Sequence, residues 1–374
     1  MQRKSTWQRR VLPIQHVEEI RMTDNIKMSR RKFLGTGAKA TVGAAAILGA
    51  PAVIASPNRK IKWRMQTHWP RGTWYYRDVF EEFARRIYTA TDGELEIETH
   101  APGSVVGTAD KITATRRGTL DAAFTFPAYW IGQMPVAGHL NGNLGTFDSK
   151  VEMEYFMYEM GALDIIREAY AERGIYLCGP VASGGVTVFA KDPLRSLADF
   201  RGYNIRTTGT AARVFEKLGA APVAIGGGEL YQALQTGVVD AAHWGSVSGG
   251  MSMSFNEVTS YIMQPEFINP TNGEIFVSLE RWNELGSDHK QIVDDAVRAI
   301  SSHYNAKVLH HDLTGMRDFV ENDGGEIIQM DDEVMEAVRV HSMEVVDEVS
   351  DQDPDYSGRV GALLHEFMEL TGKL

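Results

Sequence analysis

The hydrophobic positions of this 374-residue chain are spaced partly every second residue and partly every third or fourth residue. Both patterns meet in residues 200–245, where short apolar runs alternate with helix-spaced stretches. This succession predicts parallel strands joined by helical crossovers. The predicted strands and helices of this stretch are 205–207, 210–218, 222–225, 229–235 and a strand ending at Trp244. In open sheets of this kind, ligands bind at the carboxyl ends of the strands, where Arg206 and His243 lie.

The same two periodicities continue on both sides of this stretch and predict an α/β fold. Further strands are predicted at 61–67, 95–98, 120–126, 175–177, 186–190, 261–263 and 273–279. Further helices are predicted at 78–88, 109–117, 151–173, 288–311, 334–349 and 356–370, and a loop of small residues at 246–254. No internal repeat is present.

The length of the chain exceeds that of a single usual core and predicts two lobes. The chain crosses between the lobes at two predicted hinges, 179–180 and 265–270. Lobe I then comprises residues 60–180 and 270–309. Lobe II comprises residues 181–269 and 310–374, including long C-terminal helices.

Arg206 is the first candidate for a ligand-binding residue. Its planar guanidinium suits a carboxylate, and the small residues that follow, including Thr208, lead into a helix whose free amides favour an anion. The alternative is that Arg206 pairs with a surface carboxylate and has no ligand.

The N-terminal segment carries the pattern of an export signal. Arg30 and Arg31 precede a Gly/Ala-rich apolar stretch that ends in small residues at Val53 and Ala55. This predicts a Tat signal peptide within residues 1–55, cleaved after Ala55, and a periplasmic protein. A membrane anchor is the alternative, and Met28 competes with Met1 as the start of translation.

Charge narrows the classes of function. Residues 1–55 hold 10 of the 38 basic and 3 of the 49 acidic residues, so the remainder keeps 28 against 46, a net charge of −18. An acidic body argues against nucleic-acid binding. The single cysteine, Cys178, excludes an intramolecular disulfide and is predicted to be a buried, inert thiol.

Enzymatic motifs are not found, and the chain is predicted not to be an enzyme. The three glycines at 226–228 lack the Lys-Ser/Thr of a phosphate loop, and no nucleophile elbow occurs. His310 and His311 are adjacent on a helix and point to different faces, which does not suit a metal site.

Several ordered segments resemble the substrate-binding proteins of TRAP transporters, the DctP family. Residues 197–206 (LADFRGYNIR) are similar to the family pattern L-x-D-L-K-G-x-K-I-R, and residues 218–223 and 227–242 continue the likeness. It extends from about residue 60 to the end and is strongest to the branch that takes up 2-oxo acids, lactate and other small carboxylates.

The resemblance implies a two-lobed fold of the periplasmic-binding-protein type II kind, closing about its hinge on a ligand. It implies capture of a small organic carboxylate and delivery to the two membrane subunits of the transporter. A homodimer is compatible with the resemblance. The alternatives are a periplasmic enzyme and a sensor-associated binding protein on a similar scaffold.

The resemblance also implies site residues. Tyr129 matches a ligand-holding tyrosine, Arg206 the carboxylate clamp, and Trp244 is retained. His243 is expected to exchange a hydrogen bond with the ligand or to add a charge, the alternative being a core histidine. The substrate-binding set is Trp69, Tyr129, Arg206, Thr208, His243 and Trp244; further rings available to the cleft are Trp74 and Trp130.

This chain departs from the family pattern at the two positions that hold metal ligands in other members. Members that bridge their ligand with sodium or calcium use a glutamine and a glutamate, and by spacing these positions are Gly184 and His243 here. Imidazole is a poor ligand for a hard cation. The expectation is therefore no metal and no cofactor. Many members also carry a second arginine near Val186, and none is present here.

Overall fold

The computed structural model describes residues 60–373. The predicted Tat signal and the cleavage site after Ala55 lie outside these residues. Within residues 60–373, no helix has the length and apolarity needed to cross a membrane.

Strands and helices alternate along the described chain, which confirms the α/β prediction. The strands are β1 Ile61–Thr67, β2 Leu95–His100, β3 Ala122–Thr125, β4 Ile175–Ala182, β5 Val186–Ala190, β6 Asn204–Arg206, β7 Ala221–Val223, β8 Ala241–His243, β9 Tyr261–Ile268, β10 Asn272–Ser278 and β11 Glu326–Gln329. The α-helices are α1 Glu82–Ala90, α2 Lys111–Arg116, α3 Ala137–Asn141, α4 Lys150–Glu154, α5 Ala162–Ala171, α6 Thr210–Lys217, α7 Leu230–Thr236, α8 Val247–Ser252, α9 Leu279–Asn283, α10 Ser287–Glu321, α11 Asp332–Gln352 and α12 Arg359–Leu370. Single π-helical turns, Tyr76–Glu81, Tyr155–Glu159 and Pro354–Gly358, precede α1, α5 and α12.

The first sheet has the order β2-β1-β3-β10-β4. β1 is parallel to β2 and β3, whereas β10 is antiparallel to β3 and β4. A cluster of buried aromatic and aliphatic side chains, among them Trp63, Phe80 and Phe124, covers one face together with part of α10. The other face packs against α5 through Ile166 and Tyr170.

The second sheet has the order β11-β9-β5-β8-β6-β7. β6 pairs in parallel with both β7 and β8, as the alternating pattern of residues 200–245 predicts. The parallel arrangement brings the carboxyl ends of β6 and β8 to the same edge of the sheet. Arg206 and His243 are the last residues of these two strands, so this edge carries both candidates.

Two short segments connect strands of the first sheet directly to strands of the second. The chain leaves β4 for β5 through residues 183–185, slightly after the predicted hinge at 179–180, and returns from β9 to β10 through 269–271. The two segments are hydrogen-bonded to each other: the Ser183 amide donates to the Thr271 carbonyl at 2.9 Å, and the Thr271 amide donates to the Gly184 carbonyl at 2.7 Å. The two connections are therefore paired side by side through their backbones.

Helix α10 is longer than predicted and passes from one sheet to the other. Tyr304 and Val308 pack in the cluster of the first sheet, and Phe319 packs against Phe189 of the second sheet. The predicted boundary at 309–310 falls inside this continuous helix. Periodicity alone could not show where its burial changes from one sheet to the other.

The C-terminal helices are divided between the two sheets. α11 places Val338 and Val345 in the cluster of the second sheet, whereas Leu364 and Phe367 of α12 pack in the cluster that contains α5. The sequence placed all of 310–374 with lobe II; α12 lies instead against elements of the first sheet. The division into lobes by residue number stays a prediction.

The prediction of a loop over 246–254 is wrong, because residues 247–252 form helix α8. The small residues serve close packing there. A Cβ at Gly249 would stand 2.8 Å from the Tyr75 hydroxyl, and a Cβ at Gly250 would overlap the ring of Phe189. The small-residue composition therefore suggested a loop where the fold forms a closely packed helix.

Candidate ligand-binding site

Arg206 lies at the end of β6 with only 3% of its surface exposed. Its Nε donates to the Ile225 carbonyl at 2.9 Å and its Nη1 donates to the His243 carbonyl at 3.1 Å. Within residues 60–373, no carboxylate lies within ion-pair distance of it. Burial lowers the pKa of Arg206 to about 10, so the guanidinium is still charged at neutral pH. The predicted alternative of a surface ion pair does not describe this arginine.

His243 ends the neighbouring strand β8 and is also buried. Its Nδ1 lies 3.2 Å from the Thr207 hydroxyl, while its Nε2 has no hydrogen-bond partner among the described residues. Burial, and secondly the charge of Arg206, lower the pKa of His243 to about 3. The imidazole is therefore neutral at periplasmic pH, and it can exchange a hydrogen bond but not add the charge that the sequence allowed.

Arg206 and His243 line a cavity of about 100 Å³ between the two sheets. A single water needs on the order of 10–15 Å³ by this measure, so the volume suits a small organic molecule. Its aromatic lining consists of His68, Trp69, Tyr75, Phe126, Tyr129, Trp244 and Tyr304. The remaining lining consists of Ala128, Asn141, Ser183, Val186, Thr208, Ala211, Gly245, Ser246, Ile268 and Thr271. Arg206 is thus the lining residue that carries a full charge, and the lining contains no Asp or Glu.

All six substrate-binding residues predicted from the sequence line this one cavity. Trp69 and Tyr129 follow strands of the first sheet. Arg206 and His243 end strands of the second sheet, and Thr208 and Trp244 follow the same two strands. The structure brings them together because the strand ends of both sheets face the same cleft. Their role toward a ligand stays a prediction.

Two of the rings offered for the cleft have other positions. Trp130 is 1% exposed and donates from Nε1 to the Tyr170 hydroxyl at 3.2 Å. Trp74 stacks on Tyr75 and on His311, with ring centroids 4.0 and 4.5 Å apart. The sequence could not separate them from Trp69, since each aromatic residue suits both a core and a cleft.

A buried lysine lies near the Tyr129 ring but does not line the cavity. Lys111 Nζ lies 5.6 Å from the centroid of the Tyr129 ring and donates to the Thr125 hydroxyl at 3.1 Å. Burial lowers the pKa of Lys111 to about 7, against the opposing effect of the Glu274 carboxylate. Burial likewise raises the pKa of Glu274, which accepts a hydrogen bond from Tyr170 at 2.6 Å.

Several lining residues were not predicted. Tyr75 follows directly on the aromatic turn at 68–74, so extending that turn by one residue would have found it. Ser246 was assigned to a loop. Tyr304 sits at a core-spaced position of α10, and no local signal separates it from the other buried positions of that helix.

Two sheets joined by a pair of crossing segments, with a ligand-sized cavity between them, define a two-lobed solute-binding fold. The chain belongs to the family described as bacterial extracellular solute-binding protein, family 7 (DctP), which it matches over residues 65–353. The predicted resemblance is thereby confirmed, and the function of the family is solute binding for transport.

Known proteins resemble the chain over most of its length. The monocarboxylate 2-oxoacid-binding periplasmic protein of a Nostoc species is 26% identical over 342 residues, covering 87% of this chain and 90% of that protein. A TRAP transporter solute-binding protein of Bordetella bronchiseptica, described as a dimer with copurified calcium and picolinate, has a TM-score of 0.76 and 25% identity, covering 84% and 94% of the two chains. A TRAP periplasmic solute-binding protein of Colwellia psychrerythraea with bound calcium and pyruvate has a TM-score of 0.76 and 21% identity, covering 84% and 96%. The two-lobed α/β fold predicted from the sequence is confirmed by these structures.

Proposed function

We propose that this protein captures a small organic monocarboxylate in the cavity between its two sheets, with Arg206 as the partner of the carboxylate. The observation that carries this proposal is a buried guanidinium with no acidic partner among the described residues. A buried charge without a partner is costly, and an anionic ligand supplies the missing charge. The two carbonyls on Nε and Nη1 hold the guanidinium in place, and no described residue accepts a hydrogen bond from Nη2.

The similar proteins support the choice of ligand class. The Nostoc relative is named for 2-oxo monocarboxylates, and the two solved structures hold picolinate and pyruvate. Each of these ligands has one carboxylate, which agrees with one arginine in the cavity. The aromatic lining further favours a flat or apolar body next to the carboxylate.

Binding without a bridging cation is part of the proposal, although two similar structures contain calcium. Calcium takes six to eight oxygen ligands, usually including carboxylates. The cavity lining contains no carboxylate, and the buried His243 stands at the expected glutamate position. At the expected glutamine position, Gly184 has a φ of +79°, and Val308 of α10 fills the space that a side chain would need. No side chain can therefore enter the cavity from residue 184.

The remaining parts of the proposal concern the route and partners of the protein. Export by the Tat pathway to the periplasm rests on the twin-arginine segment, which lies outside the described residues. Membership of the family supports delivery of the ligand to the two TRAP membrane subunits. The Bordetella structure, described as a dimer, supports the homodimer. The ligand is released unchanged, so the protein is not an enzyme, and mass spectrometry of the released ligand tests this point.

The test is a calorimetric titration of the purified protein, preceded by a thermal-shift screen of monocarboxylates, dicarboxylates, sugar acids and amines, each with and without chelator. A ligand at 100 times its dissociation constant adds about 2.7 kcal/mol of stability. We expect a monocarboxylate to bind with an affinity that chelator leaves unchanged. Arg206→Gln should cost about 2–5 kcal/mol of binding free energy.

Arg201→Gln is the matched control, since Arg201 is exposed and lies shortly before the same strand. It should bind like the unmodified protein. Equal affinity in Arg206→Gln would remove the guanidinium from the site, and loss of binding on chelation would replace the metal-free site by a cation-bridged one.

A further inference from the structure

A hydrogen-bonded chain of side chains forms another part of the cavity wall. The Tyr75 hydroxyl lies 3.2 Å from Ser246 Oγ, and Ser246 Oγ donates to Asp312 Oδ1 at 2.8 Å. Tyr75 and Ser246 line the cavity, whereas Asp312 lies behind them on α10. The chain joins three elements: the segment after β1, the segment after β8, and α10.

The carboxylate of Asp312 fixes the direction of these hydrogen bonds. Asp312 is 8% exposed, and its Oδ1 also accepts the Ser248 amide at 2.7 Å. Burial raises the pKa of Asp312, while the hydrogen bonds from Ser248 and Ser246 lower it. Two donors on one oxygen are the surroundings of an ionised carboxylate, which only accepts. The single hydroxyl hydrogen of Ser246 is therefore committed to Asp312.

The hydrogen-bond direction at Asp312 in turn fixes the hydrogen-bond direction between Ser246 and Tyr75. Because Ser246 has no second hydrogen, the 3.2 Å contact requires that Tyr75 donate to Ser246. Burial raises the pKa of the Tyr75 phenol, so the group keeps its hydrogen at neutral pH. The Ser248 hydroxyl is a further neighbour, 3.1 Å from Ser246 Oγ and, at a longer distance, 3.5 Å from the Tyr75 oxygen. With its hydrogen on the nearer Ser246, the phenol oxygen presents a lone pair to the cavity as an acceptor.

We propose that Tyr75 is a specificity-determining residue that selects carboxylates carrying a hydrogen-bond donor, a hydroxyl or an amino group, over the matching oxo acids. The inference rests on the proposed function, since it presumes a carboxylate ligand at Arg206. A hydroxyl or amino hydrogen meets the free lone pair of the phenol oxygen. A carbonyl oxygen at the same place meets another acceptor, and both are left without a hydrogen bond.

The experiment compares acids that share one skeleton and differ in this group. Calorimetry with pyruvate, lactate and alanine, and with phenylpyruvate, phenyllactate and phenylalanine, covers a small and an aromatic body. We expect the hydroxy or the amino acid to bind about tenfold or more tightly than the oxo acid of the same series. Preference for lactate-type acids identifies a hydroxyl donor, and preference for alanine-type acids identifies an ammonium donor.

Two variants test whether Tyr75 and Ser246 determine the preference between these acids. Tyr75→Phe removes the acceptor, so the ratio of hydroxy- or amino-acid to oxo-acid affinity should fall toward one while the oxo acid binds as before. Ser246→Ala removes the nearest acceptor of the Tyr75 hydrogen and leaves the Ser248 hydroxyl at 3.5 Å. The Tyr75 hydrogen then becomes available to a carbonyl, so the ratio should fall as well. Tyr88→Phe, at a tyrosine that is 49% exposed, is the matched control and should keep the ratio.

The outcomes separate this inference from the proposed function. If no acid binds, or Arg206→Gln binds as well as the unmodified protein, the proposed function fails. If acids bind through Arg206 but the oxo acid is preferred, or both variants keep the original ratio, the role of Tyr75 is overturned and the proposed function stands. Should Tyr75→Phe not fold, the ratio in Ser246→Ala decides.

Discussion

Arg206 and His243 occupy adjacent strand ends, and the charge of Arg206 acts on the imidazole of His243. The His243 carbonyl accepts from Arg206, while the positive charge of Arg206 adds to burial in disfavouring an imidazolium. The result is one fixed cation next to a neutral ring with a free nitrogen. An anion with one further polar group is complementary to such a pair.

The lowered pKa of His243 predicts how stability depends on pH. An unfolded histidine titrates near 6.5. Because the pKa of His243 is about 3 in the folded protein, the unfolded chain binds more protons below pH 6.5. The contribution of this residue is therefore fully present above pH 6.5 and is lost progressively as the pH falls toward 3.

His243→Asn should consequently reduce the loss of unfolding free energy between pH 7 and pH 5 by on the order of 2 kcal/mol. Urea unfolding at the two pH values measures this loss. His139, which burial also holds at a low pKa of about 4, lies outside the cavity and offers a comparison. His139→Asn should reduce the loss to a similar extent and leave ligand affinity unchanged. An unaltered loss in His243→Asn would show that the ring is not held neutral by the fold.

Helix α8 shows how an element can be shaped by its neighbours. Its glycines adopt helical geometry, and their lack of side chains lets Tyr75 and Phe189 approach the backbone. Ser248 donates its amide to Asp312, which satisfies one of the free donors in the first turn of the helix. The helix thus holds the Tyr75–Ser246–Asp312 chain in place.

Gly249→Ala tests this arrangement. The added Cβ would stand 2.8 Å from the Tyr75 hydroxyl, so the phenol must move. We expect ligand affinity to fall by on the order of tenfold, or 1.4 kcal/mol. Alanine favours the helix by about 0.5–1 kcal/mol, so global stability should change little. Titration calorimetry and urea unfolding measure the two quantities.

Gly228→Ala is the matched control, because a Cβ at Gly228 meets no atom within 4 Å. It should leave affinity unchanged. Full affinity in Gly249→Ala would indicate that the position of the Tyr75 hydroxyl does not matter for binding.

At the scale of the whole molecule, the cavity depends on contacts between elements of the two sheets. Besides the bond between Tyr75 and Ser246, Ile131 packs so closely on Gly209 that a Cβ there would stand 2.8 Å from Ile131 Cδ1. Since the connections at 183–185 and 269–271 are the strand links between the sheets, we expect relative movement about them to open or close the cavity.

A ligand that contacts both sides should therefore favour the closed arrangement. Small-angle X-ray scattering should show a smaller radius of gyration with a saturating ligand than without it. Arg206→Gln at the same ligand concentration should scatter like the free protein. Identical scattering of the free and bound protein would mean that the cavity fills without closure.

Many strand positions and cavity residues were predictable because they depend on local sequence patterns. β1 and β5 have their predicted bounds. β6 and β8 end at Arg206 and His243, each one residue before the predicted strand end. The cavity residues found from the sequence are those that follow strands, where the rule for parallel sheets applies. Tyr304 and Asp312 were not found, since they lie on α10, whose spacing resembles that of any buried helix.

The sequence by itself determined the α/β class, the family and the arginine that faces the cavity, because periodicity, strand ends and ordered motifs are local properties of the chain. Only the tertiary structure decided which rings line the cavity, that Val308 fills the space beside Gly184, and that Asp312 sets the direction of hydrogen bonding through Ser246 to Tyr75. These are contacts between residues far apart along the chain, such as Ser246 and Asp312. Their geometry depends on how α10 packs across both sheets, which no local pattern encodes.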